Sequence, residues 1–170
     1  DELQFCSAIA DVPVAFLHAL ETELVFVEPP EGYDSDDFED GEFVWRLKNK
    51  SYGLRTTPIS WQEHLADLLV GLVFARGVFE PTLFHRFERT IYLDTHVDDI
   101  HAAGSATDLT WVFEESAKDL LIKVEPIHDI GASYEFLRAT RTRTSNGMFI
   151  LPVTCHIHDS AAATASYTPL

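Results

Sequence analysis

Basic residues are scarce in this 170-residue sequence, which has 12 Lys and Arg against 28 Asp and Glu and a formal net charge of −16. A protein that grips a phosphate backbone unaided presents a basic face, because binding proceeds by release of counterions from the nucleic acid. The composition therefore argues against tight unaided binding of nucleic acid. Divalent cations held between clustered carboxylates would offset part of this negative charge locally.

Cysteine and long apolar runs are also scarce. Cys6 and Cys155 are the only two cysteines. They cannot build a disulfide framework or a zinc ribbon, and they fit a reducing, intracellular setting. The longest apolar stretch, residues 65–79, is interrupted by Asp67 and Arg76 and is too short to cross a bilayer. We therefore expect no membrane partner.

What remains is an ordinary globular composition, 46% hydrophobic and 24% charged, in a chain long enough to bury a core. Apolar residues at three-to-four spacing predict one helix over residues 58–77, with Ser60 as N-cap, Gly77 as stop and Trp61 in the core. A second helix is predicted over residues 105–121 by the same periodicity.

Short apolar runs around these helices predict strands. We expect an α+β fold in which an antiparallel sheet carries both helices on one face. Seven acidic residues in positions 31–42 predict a solvated loop, and the Ala-, Ser- and Thr-rich residues 154–170 predict a tail or linker after a domain of residues 1–153. Residues 5–16 predict a strand segment that leads into a short helical turn. The other strand predictions cover residues 24–27, 43–47, 83–87, 91–97, 100–103, 122–124, 134–137 and 148–151.

Three carboxylates form the candidate site: Asp11 in the first strand segment, and Asp98 with Asp99 between two apolar runs that predict a hairpin. Phosphoryl and nucleotidyl transfer needs hard oxygen ligands for Mg²⁺, because negative charge spreads over phosphate oxygens in the transition state. Two metal ions about 3.5–4 Å apart stabilise both the attacking and the leaving oxygens. One strand carboxylate and a pair at a hairpin tip can meet at one sheet edge.

Five segments, taken in order, give this pattern more weight. The segments are residues 11–19 (DVPVAFLHA), 25–33 (VFVEPPEGY), 44–55 (VWRLKNKSYGLR), 96–100 (HVDDI) and 134–137 (YEFL). Together they resemble the reverse transcriptases of copia-type LTR retrotransposons. The pair Pro58 and Trp61 also keeps a Pro-x-x-Trp step of that family.

The resemblance implies a reverse-transcriptase palm with partial fingers that adds deoxynucleotides to a primer 3′-hydroxyl with two Mg²⁺ or Mn²⁺ ions. It implies that Asp11 and Asp98 bridge the metals, that the carbonyl of Val12 is an extra ligand and that Asp99 is a supporting acid. Phe16 matches the steric gate that favours deoxynucleotides.

The same resemblance places Gly53, Arg55 and Pro58 beneath the incoming nucleotide, where a guanidinium suits phosphate. The implied partners are an RNA or DNA template-primer, deoxynucleotides, and the integrase and RNase H domains of a Gag-Pol polyprotein. The implied location is intracellular, in a cytoplasmic virus-like particle or the nucleus.

Five positions depart from the family pattern. His96 stands in place of Tyr, Pro13 in place of Lys, Thr56 in place of a nucleotide-contacting Gln, and Arg138 in place of Gly. His128 lies near a Lys proposed in the family as a general acid, and a histidine can still donate a proton near neutral pH.

The sequence opens at Asp1 without Met and contains no basic fingers strand before Asp11, so we expect a piece of a longer protein that does not polymerise alone. Two alternatives stay open. One is a decayed or repurposed, non-catalytic palm-fold binding module. The other is a Zn²⁺ or Mn²⁺ hydrolase that uses a histidine and aspartate cluster. The hydrolase cluster would comprise His96, Asp98, Asp99 and His101, with His156 and His158 as further candidates.

Overall fold

The computed structural model describes residues 5–33, 43–145 and 147–152. It contains a 3-10 helix, Ala15–His18, and two α-helices, α1 (Thr57–Gly71) and α2 (Ala106–Ser116). The strands in chain order are β1 (Cys6–Asp11), β2 (Phe26–Val27), β3 (Trp45–Arg46), β4 (Ala75–Arg76), β5 (Leu83–Arg86), β6 (Ile91–His96), β7 (Asp99–Gly104), β8 (Lys123–Val124), β9 (Ser133–Phe136), β10 (Ala139–Thr144) and β11 (Gly147–Pro152).

Three antiparallel sheets organise these strands. The main sheet has the order β4-β5-β6-β7-β1-β8, a second has the order β11-β10-β9, and β2 pairs with β3. The predicted combination of two helices with antiparallel sheet is confirmed. Strand β1 lies between β7 and the edge strand β8, so residues at its end are close to both neighbours.

The main sheet is covered differently on its two faces. On β1, Ala8 and Ala10 belong to the large core that contains both helices, whereas Ile9 packs with Tyr134 of the three-stranded sheet. Successive strand side chains point to opposite faces. On β7 the same alternation puts Ile100 in the helix-side core and His101 against Tyr134. Helices therefore pack on one face, as predicted.

The helix-side core is built from the apolar stripes of both helices. Fully buried Leu or Ile side chains each contribute about 1.5–3 kcal/mol relative to an exposed position. The apolar side chains that are almost completely buried in this core include Trp61, Leu69, Ile91, Leu109, Val12 and Val112.

Helix α1 is shorter than its apolar pattern predicts, and the predicted N-cap Ser60 and stop Gly77 are both wrong. It begins after Thr56 and ends at Gly71. Val73 adopts a positive φ of 64°, and the chain then enters β4. Gly77 belongs to the β4–β5 turn, where an added Cβ would lie 2.4 Å from the carbonyl oxygen of Glu80. Its small size therefore serves this close approach.

Helix α2 begins where predicted but ends at Ser116 instead of residue 121. Ser105 is its N-cap, because its hydroxyl oxygen accepts a hydrogen bond from the backbone N–H of Asp108 at 3.1 Å. The Ser105 hydroxyl also donates to the Asp108 carboxylate at 2.7 Å. This reciprocal arrangement fixes the chain just after β7.

Some predictions lie outside the described residues, namely most of the acidic loop (residues 34–42), the tail over residues 154–170, and His156 with His158. The sequence-based prediction missed β10, because its alternation of Thr and Arg carries no apolar face. Neither described helix combines the length and the hydrophobicity needed to cross a lipid bilayer.

Candidate functional site

Two neighbouring strands bring the three candidate carboxylates to one edge of the main sheet. Asp11 is the last residue of β1 and is paired in register with Asp99, the first residue of β7. Asp98 lies in the two-residue turn between β6 and β7, and its carbonyl oxygen accepts the backbone N–H of Val12 at 2.8 Å. The predicted hairpin and its meeting with Asp11 are therefore present in the fold.

Strand alternation places Asp11 and Asp99 on the sheet face opposite both helices. Asp11 follows Ile9 at the two-residue period, and Asp99 precedes His101 in the same way. Asp98 is exposed, and its two carboxylate neighbours are partly exposed. The edge is thus open to a ligand on the face that the helices do not cover. Lys123 of β8 pairs with Asp11 from the other side.

The electrostatics of this edge are those of crowded like charges. Partial burial raises the pKa of Asp99 above its ordinary value, and the carboxylates of Asp98 and Asp11 raise it further, while His96 opposes the shift. The charged form of Asp99 is therefore disfavoured at this edge. A cation bound between the carboxylates would reverse that preference.

The donor set fits Mg²⁺ or Mn²⁺ in type, since all three side chains offer hard carboxylate oxygens. Within the described residues, no three His, Cys, Asp or Glu side chains are posed around a common point as metal ligands.

The hairpin turn that carries Asp98 is strained and is tied to helix α1. Val97 has a φ of 55°, a left-handed conformation that is unfavourable for a β-branched residue. Its carbonyl oxygen accepts the indole N–H of Trp61 at 2.6 Å. The sequence predicted Trp61 only as a core residue, because its hydrogen-bond partner depends on tertiary register.

Two of the nucleotide-side candidates, Phe16 and Pro58, line a cavity of about 250 Å³ between α1 and the hairpin. Trp61, His96 and Val97 also line this cavity. Phe16 is on the 3-10 helix, and its ring centroid lies 5.2 Å from that of Tyr52. The structure therefore brings Phe16 and Pro58 together beside the carboxylate hairpin.

A buried ion pair, which the sequence analysis did not predict, links the segment after the 3-10 helix to the block that precedes α1. The Nζ of Lys50 donates to Glu21 at 2.7 Å and to the Thr56 hydroxyl at 3.0 Å. This lysine lowers the pKa of Glu21. Between them, Gly53 has a φ of 94° and Arg55 is exposed. The Thr56 hydroxyl oxygen therefore already accepts a hydrogen bond from Lys50.

Two other residues that depart from the family pattern, His128 and Arg138, lie away from the carboxylate edge. His128 pairs with Ser7, four residues along β1 from Asp11, which is about 13 Å at strand spacing. Its ring stacks on Tyr134 with centroids 4.5 Å apart. His128 is therefore not placed as a general acid at this site. Arg138 lies in the β9–β10 turn with a φ of 59°.

The alternative histidine and aspartate metal site does not form in the described part of the chain. His101 is buried and its Nε2 lies 2.7 Å from the Tyr134 hydroxyl. Burial lowers the pKa of His101 to about 4, with Arg141 and His128 acting in the same direction. This side chain belongs to the interface between two sheets, whereas His96 is exposed on β6.

Comparison with known sequences points in one direction. The family described as reverse transcriptase (RNA-dependent DNA polymerase) matches residues 6–155. A transposon Ty5-1 protein of Saccharomyces cerevisiae is 29% identical over 92% of the chain. The Pol polyprotein from transposon RE2 of Arabidopsis thaliana is 34% identical over 58% of the chain. That from transposon TNT 1-94 of Nicotiana tabacum is 27% identical over 82%.

The chain spans only part of these relatives. The match covers 48% of the Saccharomyces protein, 7% of the Arabidopsis polyprotein and 10% of the Nicotiana polyprotein.

Proposed function

On the premise that the chain belongs to the reverse transcriptase (RNA-dependent DNA polymerase) family, as its copia-type motifs predicted, we propose that residues 1–153 form a partial palm. Residues 154–170 then form a tail or linker. In this proposal the palm holds the metal site for nucleotidyl transfer from deoxynucleotides to a primer 3′-hydroxyl. The fold that supports the proposal is an antiparallel sheet with two helices on one face.

The observation that carries the proposal is the meeting of Asp11 with the Asp98–Asp99 pair at one sheet edge. These residues are more than 80 positions apart in the sequence, yet Asp11 and Asp99 are register partners. The edge lies on the face that the helices leave open. A structural role does not require three carboxylates at this place, because their mutual repulsion costs stability.

In the proposed mechanism Asp11 and Asp98 hold the metals, the Val12 carbonyl adds an oxygen and Asp99 supports the site. Two bound divalent cations would supply the positive charge that stabilises the attacking and leaving oxygens of an in-line displacement. The short link from Val12 N–H to the Asp98 carbonyl keeps the two carboxylate-bearing strands in fixed relation. This hydrogen bond fixes the backbone positions of the two ligands, which lowers the reorganisation that the site needs during the reaction.

The nucleotide side of the site would use residues around the neighbouring cavity. Phe16 acts as the steric gate against a ribose 2′-hydroxyl, and Pro58 lies across the same cavity. The exposed Arg55 contacts phosphate, and Gly53 allows its turn through a positive φ. The link of Lys50 to Glu21 and Thr56 ties this block to the segment that follows the 3-10 helix.

The proposed partners are an RNA or DNA template-primer, deoxynucleotides, and integrase and RNase H domains of the same polyprotein. The proposed location is intracellular, in a virus-like particle or the nucleus. A net charge of −16 opposes binding of nucleic acid by this chain alone. We therefore assign the cationic groove to other parts of a polyprotein, and expect little polymerisation by the isolated chain.

Primer extension tests this function. The protein is produced with its flanking polyprotein sequence and supplied with oligo(dT) on poly(rA), dTTP and Mg²⁺. We expect extension that Asp98→Asn lowers by on the order of 10²-fold or more, because a charge-stabilising group is lost. Asp94→Asn, on the neighbouring β6 strand, is the matched control and should retain activity. Absence of extension by the unmutated longer protein would contradict the proposed activity.

A further inference from the structure

The turn that presents Asp98 is held by two hydrogen bonds to its backbone carbonyl oxygens, one on each side of the Asp98 α-carbon. The carbonyl oxygen of Val97 accepts the Trp61 indole N–H at 2.6 Å. The carbonyl oxygen of Asp98 accepts the Val12 N–H at 2.8 Å. These carbonyls belong to the peptide groups before and after the Asp98 α-carbon. Because peptide groups are planar, fixing both of them fixes the direction of the Asp98 Cα–Cβ bond.

The turn needs such restraint because its backbone is strained. Val97 adopts a φ of 55°, and this left-handed conformation is energetically unfavourable for a β-branched residue. A strained conformation persists only where the surrounding contacts determine it. With the indole N–H removed, one of the two restraints beside Asp98 would be lost.

The partner of Trp61 distinguishes this contact from ordinary core packing. Trp61 is 1% exposed and lies on the core face of α1. Burial of its ring requires only apolar neighbours, and burial of its N–H requires some acceptor. The acceptor in this fold is the carbonyl that immediately precedes a proposed metal ligand. The same ring lines the cavity beside Phe16 and Val97.

From this geometry we infer that Trp61 is a positioning residue, whose indole N–H aims the Asp98 carboxylate toward the metal site. The inference rests on the proposed function, since it concerns the same site. Trp61 acts on Asp98 through the Val97–Asp98 turn, because its hydrogen bond ends on the Val97 carbonyl oxygen. Loss of its N–H therefore weakens metal binding and lowers the catalytic rate more than it changes substrate affinity.

Mn²⁺ affinity of the 170-residue chain, read from the electron paramagnetic resonance of free Mn²⁺, is the first test. Trp61→Phe keeps an aromatic ring and removes the donor, and we expect about fivefold weaker binding, the worth of one hydrogen bond. Leu69→Val is the control, because it loosens the same helix and core without removing a hydrogen bond. It should bind Mn²⁺ like the unmutated chain. The Asp98→Asn variant gives the Mn²⁺ affinity of the chain when the carboxylate site is disrupted.

The outcomes separate the two claims. If Trp61→Phe binds Mn²⁺ as tightly as the unmutated chain while Asp98→Asn binds it weakly, the positioning role alone is overturned. Equal binding by the unmutated chain and Asp98→Asn overturns the proposed metal site and the positioning role with it. Equal weakening by Leu69→Val and Trp61→Phe assigns the effect to general stability and also overturns the inference.

A readout without metal tests the geometry directly. In nuclear magnetic resonance spectra, Trp61→Phe should shift the backbone resonances of Val97 and Asp98 and speed hydrogen exchange at the Val12 amide. Unchanged resonances at the turn would overturn the inference. In the longer protein, Trp61→Phe should lower kcat with little change in KM for dTTP. If the Phe variant does not fold, benzothienylalanine at position 61 replaces the N–H by sulfur with nearly the same shape.

Discussion

Leu137 and Arg138 form the β9–β10 turn, and both have positive φ values, 50° and 59°. Two such residues in a hairpin turn favour Asn and Gly, because other L-residues pay a steric cost there. Arg138 is exposed and stands where the resemblance implies Gly. The departure noted in the sequence is therefore a site of backbone strain.

Replacing Arg138 with Gly should raise the free energy of unfolding by about 1 kcal/mol, since Gly adopts this φ without steric cost. Urea denaturation followed by circular dichroism measures the change. Arg138→Ala is the matched control, because it removes the side chain and keeps the Cβ. An equal gain from Ala would contradict an origin in the backbone.

His101 makes the interface between the two larger sheets sensitive to acid. Its pKa is about 4, below the ordinary 6.5, chiefly because burial disfavours the charged ring. Stability contributed by the neutral ring is complete above pH 6.5 and is lost as the pH falls toward 4. The loss at pH 4.5 is about 2 to 3 kcal/mol.

The test compares urea denaturation at pH 7 and pH 4.5 for the unmutated chain and His101→Gln. Glutamine retains a polar partner for the Tyr134 hydroxyl and does not titrate. The variant should lose less stability between the two pH values. The same loss in both proteins would show that other groups cause the acid sensitivity.

At the level of single elements, the N-terminus of α2 depends on one side chain. Ser105→Ala should lower the free energy of unfolding by about 1 kcal/mol, because the Asp108 N–H loses its cap acceptor. Ser105→Thr retains a hydroxyl and should cost less. Thermal or urea unfolding measures both variants, and a neutral Ser105→Ala would contradict the capping role.

The elements differ in how far sequence alone predicts them, for identifiable physical reasons. The β6–β7 hairpin was predictable, because apolar runs flank the Asp98–Asp99 pair and the turn is local. The end of α1 was not, since an apolar pattern continues past Gly71 while Val73 reverses the backbone. The alternation of Thr and Arg in β10 carries no apolar signal. The bond from Trp61 to Val97 depends on tertiary register and was beyond prediction.

At the scale of the whole molecule, the excess of acidic residues should make stability depend on salt. A net charge of −16 repels itself in the folded state, and the Debye length falls from about 30 Å at 0.01 M salt to about 8 Å at 0.15 M. We expect Tm to rise by a few degrees over this range, about 1 kcal/mol in free energy. Differential scanning calorimetry in NaCl measures it, and a fall in Tm would contradict the expectation.

The central claim is that Asp11, Asp98 and Asp99 together hold divalent cations at the open sheet edge. Paramagnetic broadening of backbone resonances by substoichiometric Mn²⁺ locates the bound ion directly. We predict that the resonances of Asp11, Val12, Asp98 and Asp99 broaden first and that Asp98→Asn removes this broadening. Broadening confined to residues elsewhere, such as the acidic segment over residues 31–42, or unchanged in Asp98→Asn, would contradict the claim.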